Sequence, residues 1–239
     1  MTSVAIGMRT IQRAHGVDYL DETLINARRA GVFDSPMLAG FDVCDGGSAD
    51  PRRHLAFARG LAGVDVHVVD EKVSPNENAT RAHEFAENHG ADLVLFMEDD
   101  LDFCADFLAS AVAWLSDHHD ERVPLYVLGH VKRGSGTSLR YPVRGWYASQ
   151  CYAVPGRAHS QLVRWLQDHP LYDNGQVKRP RCHDLRLHNW GAHVGCDHWI
   201  ASVPSLVSHI GERSGMGCPP VRFVSWPGRA WRYRGRAAA

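Results

Sequence analysis

Along the first half of the chain, short apolar blocks of strand length take turns with stretches whose apolar positions recur near the helical period. Ser3–Met8 is apolar and runs into Arg9 and Thr10, as a first strand would. Asp18–Ala30 sets Leu20, Leu24, Ile25 and Ala27 near a helical period, and Gly31 stops it. Pro36–Val43 predicts a second strand, closed by the turn Asp45-Gly46-Gly47-Ser48, and Val64–Val69 predicts a third. Asn76–Asn88 has helical spacing at Ala79, Ala82, Phe85 and Ala86, with Gly90 as its stop. Asp92–Met97 is a dense apolar strand that runs straight into Glu98-Asp99-Asp100. Phe103–Leu115 predicts the next helix, with Asp102 as its N-cap.

The second half is less regular. Leu125–Leu128 and Gln150–Val154 predict strands separated by a loop rich in Gly, Ser and Arg (Lys132–Arg144), and Ala158–Asp168 predicts a helix. Residues 169–200 are crowded with His, Trp, Arg and Asp and show little periodicity. Strand–helix alternation with short connections predicts an α/β fold, Rossmann-like, with a mainly parallel central sheet and helices on both faces. Ligands then bind at the carboxyl ends of the strands. No linker divides the chain. The expectation is one domain over residues 1–218, with a half at about 1–115, a less regular half at about 116–218, and a basic, aromatic tail at 219–239.

Composition narrows this only slightly. The chain has 239 residues with 44% hydrophobic and 22% charged, the balance of an ordinary globular domain. A formal charge of −1 argues against binding a polyanion by bulk electrostatics. The 15 histidines raise the weight of metal and acid–base chemistry. No opening stretch has the shape of a signal peptide, and no run approaches the roughly 20 apolar residues that span a bilayer. The six cysteines are scattered without a C-x-x-C pair, which reads as reduced thiols. These features predict a cytoplasmic location and no membrane partner.

Glu98, Asp99, Asp100 and Asp102 place four carboxylates within five residues, directly after an apolar strand. Such a cluster is tolerated best when a cation neutralises it, and hard oxygen ligands suit Mn2+ or Mg2+. The plain alternative is that the acids favour the N-terminus of the following helix.

Three segments in order resemble parts of GT-A glycosyltransferases. The strand with Glu98-Asp99-Asp100 is similar to their DxD-type motif, although its spelling departs from it. Val203-Pro204-Ser205-Leu206-Val207-Ser208-His209-Ile210-Gly211 resembles the Pro-Ser-Leu-x-x-His-Ile-Gly element of the N-acetylglucosaminyltransferase IV-like group. Gly145-Trp146-Tyr147-Ala148-Ser149-Gln150-Cys151-Tyr152-Ala153-Val154-Pro155 is similar to their glycine- and aromatic-rich acceptor-side segment. The resemblance implies a GT-A-like catalytic domain, with residues 1–115 as the donor half and 116–218 as the acceptor half. It further implies that Asp100 and His209 hold a divalent metal, Mn2+ or Mg2+, at the diphosphate of a nucleotide-sugar donor. Glu98 and Asp99 would support the ribose or the ligand geometry. Arg9, Thr10, Asp45, Asn76 and Arg81 would build the rest of the nucleotide site, the last two at a helix start suited to anions. UDP is the expected nucleotide.

Inverting transfer needs a carboxylate to take the acceptor hydroxyl's proton. Asp184 is the candidate and Asp197 the reserve, each with the alternative of a helix cap. Trp146, Tyr147 and Trp190 are candidates for stacking on the acceptor, or else core. Other readings stay open on residues alone. Cys182, His183, His188, His193, Cys196 and His198 are a possible zinc module, in no familiar finger spacing. The acidic triplet would equally serve a nuclease or nucleotidyltransferase. Arg222, Arg229, Arg232, Arg234 and Arg236, interleaved with Trp226, Trp231 and Tyr233, have the composition of a nucleic-acid-contacting segment or of a solvated tail. Combined with the transferase reading, that tail suggests a hydroxylated base in DNA as acceptor, as some bacteriophage enzymes modify.

Overall fold

The computed structural model describes residues 1–12, 18–129, 136–145, 150–169, 172–173, 176–177, 183–211 and 231–233. In chain order its elements are β1 (Val4–Thr10), α1 (Leu20–Arg29), β2 (Leu38–Asp45), α2 (Pro51–His54), α3 (Ala56–Arg59), β3 (Val64–His67), α4 (Pro75–Glu87), β4 (Leu93–Glu98) and β5 (Leu101–Phe103). There follow α5 (Phe107–Asp117), β6 (Tyr126–Val127), β7 (Ser138–Pro142), β8 (Cys151–Pro155), α6 (Gly156–Asp168), β9 (Tyr172–Asp173), β10 (Gln176–Val177), α7 (His183–His193), β11 (His198–Ser202) and β12 (Val207–His209).

The central sheet has eight strands in the order β3-β2-β1-β4-β8-β6-β11-β7. β3, β2, β1 and β4 run parallel, and β6 and β11 point the same way. Only β8 and β7 are reversed. The sheet is therefore mainly parallel, and the carboxyl ends of β1, β2 and β4 share one edge. Strand alternation sorts the two faces. Phe96 faces α4, where it stacks against His83 with centroids 5.0 Å apart. Val4, Ile6 and Met8 have no exposure and join Leu20, Leu24 and Ala27 of α1 and Trp114 of α5 in the main core.

α4 begins as the sequence suggests. Ser74 accepts the Glu77 N–H at 3.2 Å, and Pro75 occupies the first turn, where a missing N–H costs nothing. The expected helix Phe103–Leu115 is corrected at its start. Leu101-Asp102-Phe103 is strand β5, paired antiparallel with β12, and the helix begins at Phe107. Asp102 is not its N-cap, and its Oδ1 instead accepts the Phe103 N–H at 2.9 Å. Within the expected Lys132–Arg144 loop, Ser138–Pro142 forms β7 on the far edge of the sheet. Within 169–200, α7 and β11 are regular elements.

Cys44, Cys104, Cys151 and Cys196 are free, buried thiols. Of the expected tail, Trp231, Arg232 and Tyr233 lie against α5. The Trp231 carbonyl accepts the Ala105 N–H at 3.0 Å, Arg232 pairs with Asp106, and the Tyr233 hydroxyl donates to Asp117 at 2.9 Å. No helix among the described residues is long and apolar enough to cross a membrane.

Candidate donor and metal site

The triplet Glu98-Asp99-Asp100 lies at the carboxyl edge, and each of its three members is held differently. Glu98, the last residue of β4, forms an ion pair with Arg9 from β1. Burial raises the Glu98 carboxyl, Arg9 pulls it down, and Asp100 and Asp99 push it up again, so it stands above the ordinary carboxylate value. Burial opposes the Arg9 charge as well, but Glu98, helped by Asp184, more than offsets this and raises the guanidinium. Arg9 also donates to the Pro75 carbonyl at 3.0 Å, which fixes it beside the N-terminus of α4.

Asp99 is buried. Its Oδ2 accepts the Thr10 hydroxyl at 2.6 Å, and Thr10 in turn lies 2.9 Å from His54 Nε2. The single Thr10 hydrogen goes to Asp99, so His54 Nε2 must donate to Thr10. His54 Nδ1 faces Asp18, an acceptor that requires a second N–H. With Asp18 and Asp99 ionised, both ring nitrogens donate, an arrangement that favours the charged ring. Burial works against that charge, and the bond to Asp18 with the fields of Asp99 and Asp45 raises its pKa regardless. Thr23 from α1 pins the turn, donating to the Asp99 carbonyl at 2.8 Å and accepting the Leu101 N–H at 2.9 Å.

Asp100 meets His209 across the small β5–β12 ladder. His209 Nε2 lies 3.0 Å from Asp100 Oδ2, and the Ile210 N–H donates to the Asp100 carbonyl at 2.9 Å. Adjacent ligands of an octahedral ion at about 2.1 Å stand about 3.0 Å apart. The observed pair has that separation. Gly211 leaves room beside it, since a Cβ there would come 2.6 Å from Asp100 Oδ2 and 2.9 Å from the His209 ring. A carboxylate and an imidazole fit Mn2+ or Mg2+, which would complete their shells with phosphate oxygens and water. Glu98, Asp99, Asp100 and Asp45 gather four carboxylates at this edge, and a divalent ion would offset part of their charge.

Asp45 ends β2 fully buried, with its carboxylate accepting the Gly47 and Ser48 N–H groups at 3.2 and 3.0 Å. Asn78 of α4 stitches this edge, donating to the Thr10 and Cys44 carbonyls at 3.0 and 2.8 Å. Asn76 sits in the first turn of α4, and Arg81 reaches the Asp45 carbonyl at 3.5 Å. Asp184 is in the first turn of α7, close enough for its charge to bear on Arg9 and Tyr152. The expected donor residues and Asp184 thus come together.

Other candidates do not. Asp197 lies just before β11, at the opposite edge of the sheet from Glu98, with a side chain 92% exposed and paired with His198. Trp190 is corrected from acceptor contact to core: it has no exposure and packs on Trp199, with no face left for a sugar. Trp146 and Tyr147 lie outside the described residues, as does Cys182. His183, His188, His193, Cys196 and His198 do not converge on a common point among the described residues, where the group of three ligand-bearing side chains is Asp42, Asp65 and His89.

The sequence did not single out Asp18, Thr23 or His54. His54 stands in Pro51-Arg52-Arg53-His54, a one-turn helix with no apolar period, so nothing local marks it.

The architecture recurs in solved structures. The S. aureus TarS 1–349 complex with UDP matches with a TM-score of 0.54 and 16% identity, over 83% of this chain and 57% of that one. The TarS 1–349 complex with UDP-GlcNAc gives 0.51 and 16%, over 79% and 53%. GalNAc-T7 with UDP, GalNAc and Mn2+ gives 0.60 and 14%, over 92% and 45%. The fold is GT-A-like. These neighbours are GT-A glycosyltransferases, and the likeness to them is one of fold, with this chain spanning about half the length of each. No family model and no curated protein sequence matches the chain.

Proposed function

We propose that this chain is a metal-dependent glycosyltransferase that moves a sugar from a UDP-sugar donor to a hydroxyl acceptor. The observation that carries the reading is the Asp100–His209 pair, set at the carboxyl edge beside Glu98 and Asp99 in a GT-A-like sheet. The likeness of Pro204-Ser205-Leu206 and His209-Ile210-Gly211 to the N-acetylglucosaminyltransferase IV-like element supports the role given to His209, and neighbours of the same fold carry UDP, UDP-GlcNAc or Mn2+. Mn2+ or Mg2+ held by Asp100 and His209 would supply charge stabilisation to the departing diphosphate.

The protein's own groups divide the remaining work. Thr10, His54 and Thr23 hold Asp99 rigid at the ribose side of the donor. Arg9, Arg81 and the N-terminus of α4 provide positive potential beside it. Asp184 is the base that takes the acceptor proton, which makes the transfer inverting. A hydroxylated base in DNA is the acceptor we would try first, because Arg222, Trp226, Arg229, Arg234 and Arg236 have the composition to follow a phosphate backbone.

Thermal melting with nucleoside diphosphates and UDP-sugars, with and without Mn2+, tests the donor site. A ligand at 100-fold its Kd stabilises the folded state by about 2.7 kcal/mol. The expected shift needs metal and a uridine nucleotide together and is lost in Asp100→Ala and His209→Ala. If no nucleotide moves the melt under any metal, the transferase reading fails. Product analysis with hydroxymethylated DNA, glycans and small alcohols then identifies the acceptor.

A further inference from the structure

We propose that Asp42, Asp65 and His89 form a second cation site, of zinc type, separate from the donor edge. Asp42 sits in mid-strand on β2, opposite Asp65 of the edge strand β3, on the sheet face that α4 covers. This position would ordinarily be apolar, yet it holds a carboxylate only 3% exposed. Two imidazoles converge on it: His67 Nε2 lies 2.7 Å from Oδ1 and His89 Nε2 lies 2.8 Å from Oδ2. Donor atoms of Asp42, Asp65 and His89 all lie within 4.8 Å of one another.

The surroundings are shaped to these rings. Gly40 makes room for His89, because a Cβ there would fall 2.1 Å from the imidazole. His67 is stacked on Phe85, with centroids 3.5 Å apart and an interplanar angle of 12°. The His67 and His89 side chains are 24% and 22% exposed, so an ion can reach them from solvent.

The donor set names the metal class. Two carboxylates and one imidazole, with water in the fourth position, suit tetrahedral zinc, and His67 on the other oxygen of Asp42 would orient that carboxylate. Two negative charges also cancel one dication, leaving no buried net charge. Tetrahedral donors at about 2.0–2.1 Å from zinc stand roughly 3.3 Å apart, so the Asp42–His89 contact needs only to open by about half an ångström. The ion would pin β3, a four-residue edge strand, to β2 and to the end of α4.

Cobalt titration of the full chain after chelator treatment and dialysis, without nucleotide, tests the site. The expected result is the intense visible absorption of four-coordinate Co2+, saturating at one equivalent and displaced by Zn2+. His209→Ala should keep the signal, whereas Asp65→Asn and His89→Gln should weaken binding at least about tenfold. Asp65 is exposed, so its substitution keeps the test open if His89→Gln misfolds. A wild-type spectrum of six-coordinate cobalt only, or Asp65→Asn and His89→Gln binding as wild type does, overturns the proposal. Neither result touches the donor site, whose melt depends on nucleotide and on His209.

Discussion

Lowering the pH from 7 to 5 should destabilise this protein through the buried histidines between α4, α6 and α7. His83 Nδ1 lies 2.9 Å from His159 Nε2, His83 Nε2 lies 2.6 Å from the Tyr152 hydroxyl, and that hydroxyl lies 2.7 Å from His183 Nε2. Burial drives the pKa of His159 down from 6.5 to about 4. Burial also holds His83 and His183 well below the ordinary value, the former aided by His159 and the latter by Arg9. A histidine with a depressed folded pKa binds fewer protons folded than unfolded. Its stabilising effect is complete above the unfolded pKa and is lost as pH falls toward the folded value. At pH 5 the unfolded imidazole is almost fully charged while folded His159 is about nine-tenths neutral, so His159 alone costs about 2 kcal/mol relative to pH 7. His83 and His183 add losses of the same sign. His54 opposes them, since its raised pKa lends stability below about pH 6.5 that disappears as pH rises through the folded value. For a chain of this size 1 kcal/mol moves Tm by about 2–4 °C, so the His159 share is about 4–8 °C. Urea unfolding and thermal melts at pH 5, 6 and 7 measure this, and His159→Gln should remove its share of the slope. A stability that is flat, or that rises, from pH 7 to pH 5 would refute the reasoning.

Gly211→Ala should abolish the metal-dependent nucleotide shift, because the added methyl would come within 3.0 Å of both Asp100 and His209. Asp184→Asn should lower kcat by about 10²-fold or more with donor binding intact in the same melting assay, as loss of a general base does. Thr10→Val should cost about 1–3 kcal/mol by chemical denaturation, because it leaves buried Asp99 and His54 without a shared partner. Tyr152→Phe should cost a similar amount, since two buried imidazole nitrogens lose the hydroxyl between them.

What the sequence discloses and what it hides follow from the range of the contacts. β1, β2 and β4 are visible because fully buried parallel strands are continuous apolar blocks, and the acids after β4 are visible because no core tolerates them. The helix expected from Phe103 went wrong because Leu101-Asp102-Phe103 takes its strand character from β12, more than a hundred residues later in the chain. Trp190 has the composition of a stacking residue and the environment of a core residue, a distinction that only burial makes. His54 and Asp18 gain meaning through Thr10, a partner 44 residues from His54 that no local pattern announces.

The ladder between β5 and β12 also fixes when the site can exist. Asp100 and His209 are 109 residues apart, yet they share one contact. During synthesis the first-half strands can assemble with Asp45, Asp99 and Thr10 in place while the imidazole opposite Asp100 is still untranslated. On the proposed reading, metal binding at Asp100 and His209 reports completion of nearly the whole described fold, and a chain truncated before β12 should show no metal-dependent nucleotide shift.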